Sequence, residues 1–119
     1  MTKTRNPKWT EDELILTLDA YLDMRTSDIS ASNPKIVALS ETLNALRSAD
    51  KVDDKFRNPN GVALKMHNFS QYDPSRTARG MNHGGRLDKV IWDRFEGKRA
   101  QLRKAADLIR SKLAQVSTL

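Results

Sequence analysis

Cysteine is missing from this 119-residue chain. Without it there is no disulfide framework and no thiolate zinc site, which fits a reducing, cytoplasmic setting. Histidine is nearly missing too. His67 and His83 are the only two, in different predicted elements, and no His-Glu-x-x-His spacing offers a metal its ligands. No paired acidic cluster stands in for them: Asp12, Glu13 and Asp19 are spread over a predicted capping turn and an expected solvated face. No metal and no cofactor are therefore expected, and the chain is read as non-catalytic. Five glycines and four prolines are too few for a disordered or fibrous class. Gly80, Gly84 and Gly85 do not follow a strand, so they make no phosphate-cradling fingerprint. No apolar run could span a bilayer, and the start at Met1-Thr2-Lys3-Thr4-Arg5 is polar where a signal peptide would turn apolar.

Charge is plentiful, and it is unevenly placed. The net charge is +6, but residues 1–56 hold eight Lys/Arg against ten Asp/Glu, a net of −2, while residues 57–119 hold thirteen against five, a net of +8. A basic half joined to a mildly acidic half suits a polyanion on one side, and nucleic acid is the commonest polyanion.

Hydrophobic spacing predicts helices throughout. Thr10 with Glu13 forms a Thr-x-x-Glu capping box, Trp9 is placed to staple onto Leu14, and Glu11, Asp12 and Glu13 favour the positive end of the helix dipole. Leu14, Ile15, Leu18, Tyr21 and Leu22 then make one buried stripe to about residue 24. On this reading Trp9 is a lid over the core. Asn33 caps a second helix with Pro34 at its first position, carrying Ile36, Val37, Leu39, Leu43 and Leu46 and fading by Ala49. A third opens at Asn58-Pro59 or Asn60, turns Val62, Met66 and Phe69 inward, and stops by Tyr72-Asp73-Pro74, because the residue before proline resists helix. Residues 75–86 form a basic, glycine-rich loop. Leu87, Val90, Ile91, Trp92 and Phe95 resume the helical period. Leu102, Ala106, Ile109 and Leu113 then continue at near-heptad spacing beyond Gly97, where a break or bend is expected. Lys98, Arg99, Arg103, Lys104, Arg110 and Lys112 are expected to form a solvated outer face.

The predicted fold is all-α, in a single domain. Residues 1–74 form a three-helix, helix-turn-helix-like core, 75–86 the basic loop, and 87–119 a long basic C-terminal helix broken near Gly97. The third helix is the expected DNA reader, since Asn can pair bidentately with adenine and Arg or Lys with guanine in the major groove. Arg57, Asn58, Asn60, Lys65 and Asn68 are its candidate contacts. Asn58 and Asn60 can equally act as caps and turns, and the connection before this helix is longer than a minimal helix-turn-helix has. Arg76, Arg79 and Arg86 are candidates for the phosphate backbone. A competing reading is a dimerisation module, in which the heptad-like stripe pairs with a second copy.

Two sequence blocks also resemble a known region. Asn6-Pro7-Lys8-Trp9-Thr10-Glu11-Asp12-Glu13-Leu14-Ile15-Leu16 is one. Phe56-Arg57-Asn58-Pro59-Asn60-Gly61-Val62-Ala63-Leu64-Lys65-Met66-His67-Asn68-Phe69, followed by Asp73-Pro74, is the other. Together with Leu87-Asp88-Lys89-Val90-Ile91-Trp92 they resemble the N-terminal head that precedes His-Asn-His nuclease domains in McrA-like, modification-dependent bacterial restriction endonucleases. The resemblance spans about residues 5–96. It implies a bacterial or phage setting, DNA as partner, and a nuclease domain C-terminal to the head in the parent chain; the form of DNA expected is double-stranded. No such domain lies within these residues.

Overall fold

The acidic turn Glu11-Asp12-Glu13 starts the first helix, α1 (Glu11–Asp23), with the expected capping box: the Thr10 amide donates to Glu13 Oε1 at 3.0 Å and the Glu13 amide to Thr10 Oγ1 at 3.4 Å. The computed structural model describes residues 7–24, 28–47, 53–75 and 85–117. Those residues form five helices and no strand, so the fold is all-α. Asn33 caps α2 (Pro34–Leu46) by accepting from the Lys35 amide, and Pro34 opens it where a missing N–H does no harm. Asn58 caps α3 (Pro59–Ser70) by accepting from the Gly61 amide at 2.8 Å. A Cβ on Gly61 would come within 3.2 Å of that same Asn58 oxygen, so a larger residue there would press on the cap by a few tenths of an ångström. The chain leaves α3 through a turn and reaches non-helical Asp73 ahead of Pro74, as expected.

The C-terminal part is two helices, α4 (Arg86–Phe95) and α5 (Arg99–Ser117), parted at Gly97, whose φ of 72° lies in the left-handed region that favours glycine. The predicted break is real, but the predicted division of the core is not seen. α1 packs against each of the other four helices, and α5 is among its main neighbours. Residues 13–19 of α1 are buried on every face, polar side chains included. Ile91, Trp92, Leu102, Ala106 and Ile109 belong to one apolar cluster with Leu14, Leu18, Val62 and Phe69.

The near-heptad stripe of α5 is used inside this molecule over its first three members, and Leu113 is half-buried. Leu102 and Ala106 are fully buried and Ile109 nearly so, because they cover α1. A stripe of that period cannot by itself say whether it covers a neighbouring helix of the same chain or a second copy.

Candidate nucleic-acid interface

At the N-terminal edge of α3 the chain makes a tight turn in which Arg57 takes a positive φ of 46°. Ser40 Oγ donates to the Arg57 carbonyl at 2.7 Å and Asn44 Nδ2 to that of Phe56 at 3.0 Å, so α2 holds the turn from below. This geometry aims the Arg57 side chain inward. Its guanidinium donates to both oxygens of the buried Glu13 and to the carbonyls of Pro7 and Lys8. It lies between the Trp9 ring at 4.6 Å and the Phe56 ring at 4.4 Å. Arg47 adds a second cation to Glu13 at 2.7 Å. Expected as a base contact, Arg57 is instead a buried structural cation, with a side chain 4 % exposed. Trp9 is half-buried and covers this ionic node at the edge of the core, so it is a lid of a different kind from the one expected.

Two further candidates are corrected in direction. Lys65, a candidate DNA contact, instead has its ammonium 3.1 Å from the buried Asp88 of α4 and 5.3 Å from the Trp9 ring centre. Asp88 also accepts from the Gly85 amide, so one carboxylate caps α4 and ties it to α3. Asn68 is buried, and its Oδ1 has no hydrogen-bond partner among the described residues. The cause is common to both: α3 is wedged among α1, α2 and α4, which leaves only a narrow strip free. Val62, Ala63, Met66, Asn68, Phe69 and Ser70 are all buried. The strip comprises exposed Asn60 and Leu64, with half-buried His67 and Gln71. Of the α3 candidates, Asn58 is used as the cap and Asn60 alone faces solvent.

The basic surface of α5 is also less free than its composition suggests. Asp19, buried in α1, accepts from Arg99 at 2.6 Å, Arg103 at 2.9 Å and Arg110 at 2.7 Å, while the exposed Asp23 takes further bonds from Arg99 and Arg103. Burial alone would push the Asp19 carboxyl up; hydrogen bonds from Arg110, Arg103 and Arg99 outweigh it and hold the group below the usual aspartate value. The Arg103 guanidinium is stabilised in turn, chiefly by its hydrogen bond to Asp19. Sequence reading placed Asp19 on a solvated face. The overlooked signal is the pairing of Asp19 and Asp23, one turn apart, with Arg99, Arg103 and Arg110 on one face of another helix.

What remains uncommitted is specific. Arg86, Lys98, Lys104 and Lys112 are exposed and make no ion pair among the described residues. Arg86 stands at the first position of α4. Arg76 and Arg79, the other two loop arginines, lie outside the described residues. From Pro74 to Leu87 the sequence contains three arginines and no carboxylate. Among the described residues no group of three or more His, Asp or Glu side chains could hold a metal ion, and no helix is long and apolar enough to cross a membrane.

Comparison with protein-family models, curated proteins and solved structures finds no match to this chain.

Proposed function

We propose that this chain is a helical DNA-binding module that holds the phosphate backbone through the segment 76–86. The observation that carries this reading is the run from 74 to 87, with three arginines and no acid, ending in Arg86, which is exposed and makes no ion pair among the described residues. Among the other described arginines, Arg47 and Arg57 are neutralised in place by Glu13, Arg94 by Glu11, and Arg99, Arg103 and Arg110 by α1 aspartates. The acids that flank this run, Asp73 and Asp88, accept bonds from Tyr21 and Ser75 and from Lys65 and Gly85, which leaves the cationic run for an external polyanion. Lys98, just before α5, and Lys104 and Lys112 on it add to the same field.

In this reading α3 is first a scaffold. Its strip of Asn60, Leu64 and His67 is too narrow for the Lys65 and Asn68 base contacts expected of a recognition helix, and sequence-independent backbone contacts dominate. The module supplies binding. Any cleavage in the parent protein belongs to a separate nuclease domain, in line with the resemblance to restriction-endonuclease heads.

The test is a salt titration of duplex affinity for the wild type and for Arg76→Ala, Arg79→Ala and Arg86→Ala. Each lost phosphate contact should flatten the slope of log K against log salt by about one, equally for unrelated sequences. Wild-type binding that ignores salt, or no binding to any duplex, would refute the reading.

A further inference from the structure

Two carboxylates border the basic run, Asp73 before it and Asp88 after it, and each is 1 % exposed. Asp73 Oδ2 accepts from the buried Tyr21 hydroxyl of α1 at 2.7 Å. Its Oδ1 accepts from the Ser75 amide at 2.9 Å and from the Ser75 hydroxyl at 2.7 Å. Asp88, in the first turn of α4, takes the Lys65 ammonium of α3 on both oxygens at 3.1 Å. Its Oδ2 also accepts from the Gly85 amide at 3.0 Å. Each acid therefore faces two ways. On one side it is held by a side chain of the helical body, and on the other it holds backbone at one end of the run. Ser75 borders a cleft walled by Trp92, Phe95 and Glu96, near the C-terminal end of α4, and Gly85 precedes the first residue of that helix. The two tethers thus stand at opposite ends of α4, and the second fixes the turn that carries Arg86.

We propose that Asp73 and Asp88 are positioning residues for duplex binding, an inference that rests on the DNA-binding reading above. They touch no phosphate themselves. They act by fixing where the cationic run begins and ends on the helical body. A segment that binds a polyanion pays the entropy of its own ordering, and holding both ends beforehand lowers that cost. Tyr21 and Lys65 serve the same purpose one step further back, since each anchors its carboxylate to a packed helix. The proposal has an unusual consequence of sign. Judged by charge alone, an acid next to a cationic run repels the polyanion, so removing it should tighten binding. Judged by position, removing it should loosen binding, because a tether is lost.

The experiment measures affinity for a labelled duplex by fluorescence anisotropy, with circular dichroism showing that each variant is folded at the assay temperature. Asp73→Ala and Asp88→Ala should each bind about tenfold more weakly than the wild type. The slope of log K against log salt should not change, because no phosphate contact is lost. Asp73→Asn removes the same charge but keeps an acceptor for the Ser75 amide, so it should bind at least as tightly as the wild type. The contrast between alanine and asparagine separates the tether from the charge. Tyr21→Phe, which removes only the hydroxyl behind Asp73, is the milder variant should an alanine protein not fold, and it should weaken binding about threefold. A further readout needs no variant: charge-assisted bonds should slow hydrogen exchange of the wild-type Ser75 and Gly85 amides by about 10- to 100-fold relative to unbonded amides. Undiminished affinity in folded Asp73→Ala, Asp88→Ala or Tyr21→Phe protein, or unprotected Ser75 and Gly85 amides, overturns the inference and leaves the backbone-binding reading standing. Failure of the wild type to bind any duplex overturns both.

Discussion

Replacing Asp19 with asparagine would keep the shape of the side chain and remove its charge. In the structure that carboxylate is 1 % exposed and accepts from three arginines of α5 at 2.6–2.9 Å. A hydrogen bond to a charged group contributes about 1.5–3 kcal/mol, but these guanidiniums are 37–43 % exposed and regain water when released. Discounted for that rehydration, each bond contributes about 1 kcal/mol, so Asp19→Asn should destabilise the domain by about 3 kcal/mol. For a chain of this length that is a fall in Tm of about 12 °C, out of a total stability on the order of 6–15 kcal/mol. Urea denaturation followed by circular dichroism, with a thermal melt beside it, measures both quantities. The same carboxylate sets a pH dependence. Its pKa is lowered in the folded state, so its contribution is complete above the ordinary aspartate value and is lost as pH falls through about 4 toward the folded value. The wild type should therefore lose stability relative to Asp19→Asn in that acidic range, and the two curves should converge. A destabilisation below about 1 kcal/mol at pH 7, or parallel curves down to pH 3, would refute the ionic docking of α5 on α1.

Other outcomes follow from single contacts. Arg57→Ala should destabilise by about 3–5 kcal/mol, because it strands the fully buried Glu13 with one cation; a variant that melts like the wild type would return Arg57 to the list of DNA contacts. Leu102→Ala should cost about 2–5 kcal/mol and leave the molecular mass by light scattering unchanged, since that side chain is buried inside one chain. Asn58→Ala should cost about 1 kcal/mol in a urea titration through loss of the α3 cap.

Much of the helical layout was legible in the sequence, for a local reason. The Thr10–Glu13 box, the Asn33-Pro34 and Asn58-Pro59 starts, and the Gly97 break each act within a turn of chain, so neighbouring residues suffice to reveal them. The stripes Leu14–Leu18–Tyr21 and Val62–Met66–Phe69 likewise follow from helical period alone. Which surface each stripe meets is decided at long range. By period alone the α5 stripe suits either a dimer seam or a neighbouring helix; the fold lays Leu102, Ala106 and Ile109 on α1. Side-chain direction on α3 was misjudged for the same reason. Periodicity places Lys65 and Asn68 off the main stripe, but it cannot see α4 arriving on that flank with Asp88. Charge was the least legible property of all. Composition counts cations in the second half, whereas only the fold pairs Arg57 with Glu13 and Arg99, Arg103 and Arg110 with Asp19, across separations of 44 to 91 residues. Patterns within a helix are dictated by neighbours in the chain, and the partner of a buried or half-buried charge is dictated by packing.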